Sequence, residues 1–580
     1  MLSKFKIAIN LTAALVLTGC SLSDFTNWAN RVAYGTLDQT TNTVMGEASP
    51  FDVEYKPLTP DEQGFIQLQK RKIKIYGSKT EELSLDDVLF IAFKNSREYQ
   101  NRKEALFSAA LNLANERQSW NIPELQGFIA GEANWQKPNG VSPDAGGLGE
   151  VSANPSLLQR FVNGGILTFG AAVDLATDFL GSDSLSIGST IDANFTQPLL
   201  RGAWNGFAYE DQYRLERNFE FAVFRYYRYR QTFAANIVTR YYRVLQLRDR
   251  LENEKQNIDR LTSTFKLTQR NVEIGNSTRV QLDQAEQNLF SARVRLTSER
   301  ENYQNAVDQL KILIGLPTLS QVEPDYPEAL IQLSKFKPSA KDIPFTVDQA
   351  INVALEVRPD VLSQRAAVRD AKRDVDINAN NFLPRLDLDV GYSASNPTGS
   401  KSPGDINFRN GRRYAKLRFN YPLNQTDNRD AYRNAVIAFS RASRDYDLFL
   451  DRVRDDVRTT YRSLAQSRES YEIQIKNVEL AKRRRKLAAE RQKNGDASTR
   501  DVLEAEEALR TAQNGLTSSL INYTTTRLEF LASLGMVRVN QAGVVSEKSK
   551  PANFERLNKR YPYTTGDFSK GVNIHEKTNP

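Results

Sequence analysis

The chain carries one pattern of helix-forming residues twice, in copies that lie 220 residues apart. Gly275 corresponds to Gly495 and Gly315 to Gly535, so the same interval separates the two glycines of each copy. Between these glycines the copies share six further positions: Ala285 and Ala505, Glu286 and Glu506, Leu289 and Leu509, Ala292 and Ala512, Leu296 and Leu516, and Tyr303 and Tyr523. A duplicated unit of this length, with glycines that permit chain reversal, predicts two long helical hairpins.

Apolar residues recur every seven positions before the first glycine of each copy. The first copy has the longer series: Ile237, Val244, Leu251, Ile258, Phe265 and Val272. The second has Val457, Leu464, Tyr471 and Val478, and then becomes polar. This spacing keeps one apolar seam towards a partner helix, as in supercoiled helix pairs. Residues 205–274 are predicted to form one nearly continuous helix, about 100 Å long at 1.5 Å per residue.

Each copy also contains segments that alternate like strands, after helices predicted over 84–118 and 346–381. After Pro384, one face is apolar and the other charged, and the same holds for the strand that returns to Pro422. Too few strands are present for a soluble sandwich, whereas a membrane β-barrel places lipid against one face and water against the other. Two short hairpins cannot close a barrel, so several chains must contribute. The longer region 136–186 either forms an enlarged extracellular loop or adds a hairpin.

These patterns predict a mainly α-helical protein with a membrane β-barrel portion, built from duplicated long coiled-coil helix hairpins and short strand hairpins. The predicted segments are a lipoprotein signal peptide (1–20), an extended N-terminal segment (21–83), a first repeat (84–315), a linker (316–345), a second repeat (346–536) and a polar C-terminal tail (537–580).

The first twenty residues are typical of an export signal. Lys4 and Lys6 precede a short apolar run, and the run ends at the sequence Leu-Thr-Gly-Cys with Cys20. This sequence resembles the lipoprotein box, in which the cysteine is lipidated and becomes the mature N-terminus, and several acyl chains suffice for stable anchoring. We therefore predict lipidation of Cys20 and, because Ser21 rather than aspartate follows, sorting to the outer membrane of a Gram-negative bacterium.

The composition argues against several classes of function. Cys20 is the only cysteine and His575 the only histidine, which makes a Cys-rich metal site or a histidine-dependent catalytic set implausible. Catalysis by carboxylates alone is not excluded by counting, but no pattern proposes it. The net charge of +8 comes from 78 basic and 70 acidic residues interleaved along helical faces, so solvation explains it better than nucleic-acid binding. We expect no enzyme, cofactor, metal or nucleic acid.

Strand hairpins between duplicated long helices, on a chain with a lipoprotein signal, resemble the TolC-like outer-membrane efflux family. The resemblance covers about residues 84–536. Its local marks are QPLL at 197–200, the glycine-led tips, and GDASTRDVLEAEEAL from Gly495. The resemblance implies a homotrimer that forms a trimeric α-barrel and β-barrel conduit, with the β-barrel embedded in outer-membrane lipid. Its helical tips would meet a periplasmic adaptor protein and an inner-membrane transporter.

The tips hold the residues expected to control passage and docking. Asp501 and Glu504 lie three apart on a helix and share a face, and the resemblance places them in the periplasmic gate, where a trimer would stack two acidic rings. The plainer interpretation is a solvated helix start. The adaptor-docking tips are Gly275, Asn276, Ser277, Thr278, Gly495, Asp496, Ala497 and Ser498. Simple turn chemistry explains these eight residues equally well.

The leading functional hypothesis is the outer-membrane channel of a tripartite export system that conducts substrates passively. Two alternatives remain: a type I protein secretion duct, and a non-conducting structural coiled-coil lipoprotein. The sequence does not separate efflux from protein secretion, because substrate choice lies largely with the inner-membrane pump.

Overall fold

The computed structural model describes residues 22–45, 51–61, 64–69, 71–76, 79–136, 146–178, 185–335, 346–397, 400, 402–494, 496–539 and 545–546. The helices, in chain order, are α1 (Leu22–Met45), α2 (Leu85–Asn95), α3 (Arg97–Asn121), α4 (Asn205–Ala208), α5 (Glu210–Glu273), α6 (Arg279–Ile314), α7 (Glu328–Lys335), α8 (Val347–Val357), α9 (Pro359–Asn380), α10 (Thr426–Lys493) and α11 (Thr499–Ser533).

The strands are β1 (Phe65–Gln67), β2 (Lys72–Lys74), β3 (Glu81–Leu83), β4 (Glu124–Gln126), β5 (Ile129–Gln136), β6 (Gly146–Ala153), β7 (Ser156–Arg160), β8 (Ile166–Asp178), β9 (Leu185–Pro198), β10 (Val322–Pro324), β11 (Arg385–Ser395), β12 (Arg412–Asn420), β13 (Arg538–Val539) and β14 (Val545–Ser546). Among the helices of these described ranges, none is both long enough and apolar enough to cross a membrane.

Two long helical hairpins dominate the fold, as the repeat predicts. The 64-residue helix α5 returns through α6, and the 68-residue helix α10 returns through α11. The four helices lie side by side in the order α6, α5, α11, α10, so that α6 and α10 are at the edges. The seven-residue series is buried over Ile237–Leu251 in the first copy and at Val457, Leu464, Tyr471 and Val478 in the second.

The helix that precedes the strands is broken in both copies, where the sequence predicted one continuous helix. Ser96 separates α2 from α3 and Arg358 separates α8 from α9, and both residues have extended backbone angles. Pro359 disfavours the helical conformation at Arg358, whereas Ser96 caps α3 by accepting a hydrogen bond from the Tyr99 amide at 3.5 Å. Gly315 packs directly against Asn95 at the first break, where a side chain would collide with the backbone.

The N-terminal segment predicted to be extended contains a helix. In α1, Ala33 and Leu37 are buried, and the Tyr34 ring packs on Phe107 of α3 with 5.3 Å between centroids. The sequence here is mostly polar, with one narrow apolar stripe. Packing of this stripe against α3 stabilises the helix. The segment continues as the hairpin β1–β2 and as β3, which pairs in parallel with β10 of the linker.

One antiparallel sheet joins the strands of both copies, in the order β12, β11, β9, β8, β6, β5, with β4 paired to β7 and β7 to β8. Within the long region 136–186, β6, β7 and β8 are strands of this sheet, so the hypothesis of an added hairpin is confirmed there. Large apolar side chains on one face are exposed, among them Leu125, Phe169, Leu417 and Phe419.

Candidate functional site

The first helical tip is a tight reversal that keeps its backbone polar groups satisfied. Gly275 has a φ of 76° and ends α5 in the left-handed region, where a residue without Cβ is least strained. The amides of Asn276 and Ser277 donate to the carbonyl of Asn271 at 2.7 and 3.1 Å. Thr278 then caps α6 in a reciprocal box with Gln281, and the Gln281 amide donates to its hydroxyl at 3.4 Å.

The second tip repeats this geometry at the same offset. The Asp496 amide donates to the carbonyl of Arg491 at 2.9 Å, which matches the bond made by Asn276 in the first copy. Asp496 is exposed, whereas Ala497 and Ser498 are half-buried. The structure thus places seven of the eight predicted tip residues at two equivalent turns, while Gly495 lies outside the described residues, as does Cys20.

Asp501 closes the capping box of α11. Its carboxylate accepts from the Ser498 amide at 2.9 Å and from the Ser498 hydroxyl at 2.8 Å. These hydrogen bonds, helped by Arg500 and Arg484, lower the pKa of Asp501 below its ordinary value of 3.8. Asp501 is therefore ionised throughout the neutral range, and it is fully exposed at the beginning of the helix.

We expect Ser498→Ala to loosen the second tip by about 1 kcal/mol, the usual cost of losing an N-cap. Because the folded pKa of Asp501 is lowered, its contribution to the box is present above pH 3.8 and is lost as the pH falls through the folded pKa. Thr278→Ala is the matched control, because it removes the equivalent cap at the first tip, where the partner in the capping box is Gln281, which does not ionise. Hydrogen exchange measured across both tips should show acid sensitivity only at the second; equal acid sensitivity at both would contradict this assignment.

Glu504 shares the exposed face with Asp501, but its charge is partly compensated within the chain. Arg500 lies 3.0 Å from its carboxylate and Arg484, on α10, lies 3.8 Å away. The two acids predicted for the gate are therefore brought together at the tip. The Arg500 pair follows from a spacing of four residues on one helix, whereas the approach of Arg484 from α10 is not indicated by sequence spacing.

The sequence missed a set of buried ion pairs that join the two hairpins above the tips. Glu506 of α11 is 3% exposed, and its carboxylate lies 2.5 Å from the Arg260 Nε of α5 and 3.7 Å from the Arg485 Nε of α10. Glu254 of α5 is 2% exposed and contacts Arg295 at 3.2 Å and Arg510 at 3.7 Å. The sequence hints at this buried acid in one way, because Glu286 and Glu506 occupy equivalent positions of the repeat. Glu286 is exposed, however, so the repeat alone does not identify Glu506 as buried.

The hairpins also touch at the level of the tip. The hydroxyls of Thr268 on α5 and Thr499 on α11 lie 3.2 Å apart, and both residues are buried. Gln492 of α10 donates to the Thr499 hydroxyl at 3.4 Å. The first turn of α11 is therefore fastened to both of its neighbours, and the ion pairs around Glu506 fasten it again two turns higher.

The other end of the molecule presents a sheet with two chemically different faces. The polar face carries ordered ion pairs: Arg385 lies 2.8 Å from Asp387, and Arg418 lies 2.5 Å from Asp389, which also accepts from the Thr196 hydroxyl at 2.8 Å. The opposite face exposes the apolar side chains named above. Such a sheet is stable where one face meets an apolar medium and the other meets water.

Comparisons with known proteins agree with this geometry. The sequence profile described as "outer membrane efflux protein" matches residues 192–316 and 350–536, which is more than half of the chain. The chain is 26% identical over 317 residues to the alkaline protease secretion protein AprF of Pseudomonas aeruginosa, covering 52% of this chain and 62% of AprF. It is 23% identical over 315 residues to the outer membrane efflux protein BepC of Brucella suis, covering 54% and 65%. The chain thus spans somewhat less than two thirds of each relative.

A solved structure shares the fold at low sequence identity. The outer membrane channel CmeC of Campylobacter jejuni superimposes with a TM-score of 0.56 at 16% identity, over 88% of this chain and 98% of CmeC.

Proposed function

Because the chain belongs to the outer membrane efflux protein family, we propose that three copies form a passive channel for export across the outer membrane of a Gram-negative bacterium. The β-sheets would form the part in lipid, and the helical hairpins would form a tube in the periplasm. An inner-membrane transporter and a periplasmic adaptor protein would deliver the substrate to the helical tips. The channel needs no cofactor, because conduction involves no covalent chemistry.

The observation that carries this proposal is an unpaired apolar stripe on each edge helix. On α10, Ile473, Leu480 and Leu487 are exposed, spaced seven residues apart, on the side opposite Val478, which packs against α11. On α6, Val280 and Val294 are exposed opposite the side that packs on α5. A seven-residue stripe is the pattern of a helix with a packing partner. Since the two stripes lie at opposite edges of one four-helix layer, repeated head-to-tail contact between copies would close a ring.

The sheet supports the same arrangement. A lone layer with one apolar face has no partner in water, whereas closure with neighbouring copies gives that face to lipid and turns the charged face towards a water-filled lumen. The charged lumen favours a conducting channel over the alternative of a non-conducting structural lipoprotein. Lipidation of Cys20 would add an anchor beside the barrel.

The names of the relatives cover both kinds of cargo. AprF is named for alkaline protease secretion and BepC for efflux. Tripartite export is the leading function, and a type I protein secretion duct is the alternative that AprF specifically favours. Co-purification of the chain with either a protein substrate or a small-molecule pump complex would decide between them.

At the tips, Asp501 and Glu504 would form the periplasmic gate. Their shared exposed face and the ionised state of Asp501 support this role, since rings of carboxylates attract cations and repel anions. The turns at Gly275–Thr278 and Gly495–Ser498, in which Asn276 and Asp496 are exposed, would be the adaptor-docking surface. The second of these turns lies next to the first turn of α11, whose Thr499 is bonded to α5 and α10. An adaptor bound to this turn would therefore contact the chain beside the gate residues.

We expect Asp501→Asn/Glu504→Gln to reduce the cation selectivity of single channels in a planar bilayer and to raise their conductance. The matched control is Asp283→Asn/Glu286→Gln, which removes two exposed acids at the same spacing on α6. A pore whose selectivity responds equally to both double variants would remove Asp501 and Glu504 from the gate but leave the channel. The proposed function itself would be contradicted if assembled oligomers conducted no current, both in the wild type and in variants designed to open the tips.

A further inference from the structure

The first copy of the repeat contributes more strands to the sheet than the second copy. In the second copy the described residues between α9 and α10 form a single hairpin, β11 and β12. In the first copy β4 and β5 follow α3 as β11 follows α9, and β9 precedes the long helix as β12 does. The strands β6, β7 and β8 lie between them. Comparison of the two copies therefore identifies β6–β8 as an inserted hairpin.

The short strands of the first copy are parts of longer ones. Glu124 pairs with Leu158 and Ile129 pairs with Ala153, so β4 and β5 keep one register against β7 and β6 across the two-residue interruption. In the same way β6 and β7 keep one register against β8. Within the described residues, this sheet therefore consists of six continuous antiparallel strands, in the order β12, β11, β9, β8, β6–β7, β4–β5.

The inserted strands continue the apolar face of the other strands. One row across the sheet joins Leu125, Leu157, Phe169, Ala193 and Tyr392. A second row joins Leu167, Phe195, Val390 and Ala415. Leu125 and Phe169 are 75% and 48% exposed. A hairpin lying in an aqueous loop has no need of this face, whereas a hairpin in the wall of a barrel requires it.

The two edge strands of the sheet are offset along their length, as the strands of a closed barrel must be. Following the pairings across the strands, Glu124 at the beginning of β4 lies level with Tyr414, six residues before β12 ends at Asn420. Six residues correspond to about 20 Å along the strand, and the five spacings between strands to about 24 Å across. The strands are thus inclined by about 40°, within the range that closed barrels require.

We infer that β4–β5 of one chain pairs with β12 of the next. Three chains of six strands then close a barrel of eighteen strands, whereas without the inserted hairpin three chains of four strands would give twelve. This inference rests on the proposed trimeric channel. An even number of strands per chain makes the two free edges antiparallel, as closure demands. At a tilt of about 40° each strand occupies about 6.3 Å of the circumference, so the barrel is about 36 Å across, compared with about 24 Å for twelve strands. A barrel of that size leaves an aqueous channel, and the tips rather than the barrel would limit the size of the cargo.

Paired cysteines test which strand forms the edge. Cys20 is the only natural cysteine, so the engineered thiols are the only others in the chain. Leu125→Cys combined with Phe419→Cys reports contact between β4 and β12 of neighbouring copies. Leu167→Cys combined with Phe419→Cys is the matched pair, because β8 would be the edge if β4–β7 lay outside the barrel and only β12, β11, β9 and β8 formed its wall. All these positions are on the apolar face, so neither pair alters the lumen.

Oxidation in intact outer membranes, followed by denaturing non-reducing electrophoresis, should convert the Leu125/Phe419 variant to a covalent trimer at least ten times more efficiently than the Leu167/Phe419 variant. Ile129→Cys with Ala415→Cys covers a different level of the same edge and guards against a poorly folded variant. Preferential cross-linking through Leu167, or failure of all pairs in a chain whose native mass is that of a trimer, would overturn the eighteen-strand barrel and leave the channel. A monomeric native mass would instead overturn the proposed assembly together with the barrel.

Discussion

Arg260→Ala is expected to raise the single-channel conductance of the reconstituted protein at least several-fold. The Arg260 guanidinium lies 2.5 Å from the carboxylate of Glu506, which is buried between α5 and α11. Removing the cation leaves Arg485, at 3.7 Å, beside a carboxylate that stays almost wholly buried while the helices remain packed. Breaking a buried ion pair from one side costs about 3–5 kcal/mol.

That cost falls on the packed arrangement and not on an arrangement in which α11 moves away from α5. Since about 1.4 kcal/mol corresponds to a tenfold change in an equilibrium, a penalty of about 3 kcal/mol shifts the balance between packed and separated tips by about a hundredfold. The two copies would then part near the tip, where Asp501 and Glu504 lie. Conductance in planar bilayers, recorded at one salt concentration for all variants, measures the effect.

Two controls make this prediction specific. Arg279→Ala breaks a surface pair with Asp283, whose atoms lie 3.5 Å apart and are well exposed, so it should leave conductance unchanged. Arg260→Leu/Glu506→Leu removes both charges and restores an apolar contact, so it should return conductance towards the wild-type value. If the double variant conducts as strongly as Arg260→Ala, the buried pair does not hold the tip closed.

The sequence predicted the hairpins well because a seven-residue series reports helix packing directly. Ile237 and Val457 are buried in corresponding series because each series has a partner within its own hairpin. The glycines were equally informative, since Gly275 and Gly315 have positive φ angles that few other residues adopt. Local chemistry therefore fixed the length and reversal of each hairpin.

Contacts between the two copies were beyond sequence reasoning. Arg260 and Glu506 are 246 residues apart, and no periodicity indicates that α5 lies against α11 and not against another helix. The same limitation explains α1, because the stripe at Ala33 and Leu37 is too short to stand out until α3 is placed beside it. Ser96 is a different case, because local capping breaks a helix there although the apolar pattern continues through it.

Ile473→Glu is expected to abolish assembly of the ring, a larger effect than any change at the gate. Ile473 is 57% exposed within one chain and belongs to the apolar stripe on the outer edge of α10. In the proposed ring this stripe meets α6 of the next copy, where Val280 and Val294 are exposed on one face, fourteen residues apart. A carboxylate buried there would be desolvated in three equivalent contacts at once. Leu480→Glu should have the same effect one heptad along.

Ile475→Glu is the matched control for this change. It introduces the same charge in place of the same side chain, which is 46% exposed, on the same helix. Two residues along a helix turn the side chain by about 200°, so Ile475 faces away from the stripe. Mass measurement in detergent should therefore find trimers for the wild type and Ile475→Glu, and mainly single chains for Ile473→Glu and Leu480→Glu. Equal loss of trimer in all three variants would show that charge on α10 is harmful in general, and equal retention would show that α10 does not form the lateral contact; either result would remove the observation from which the ring was inferred.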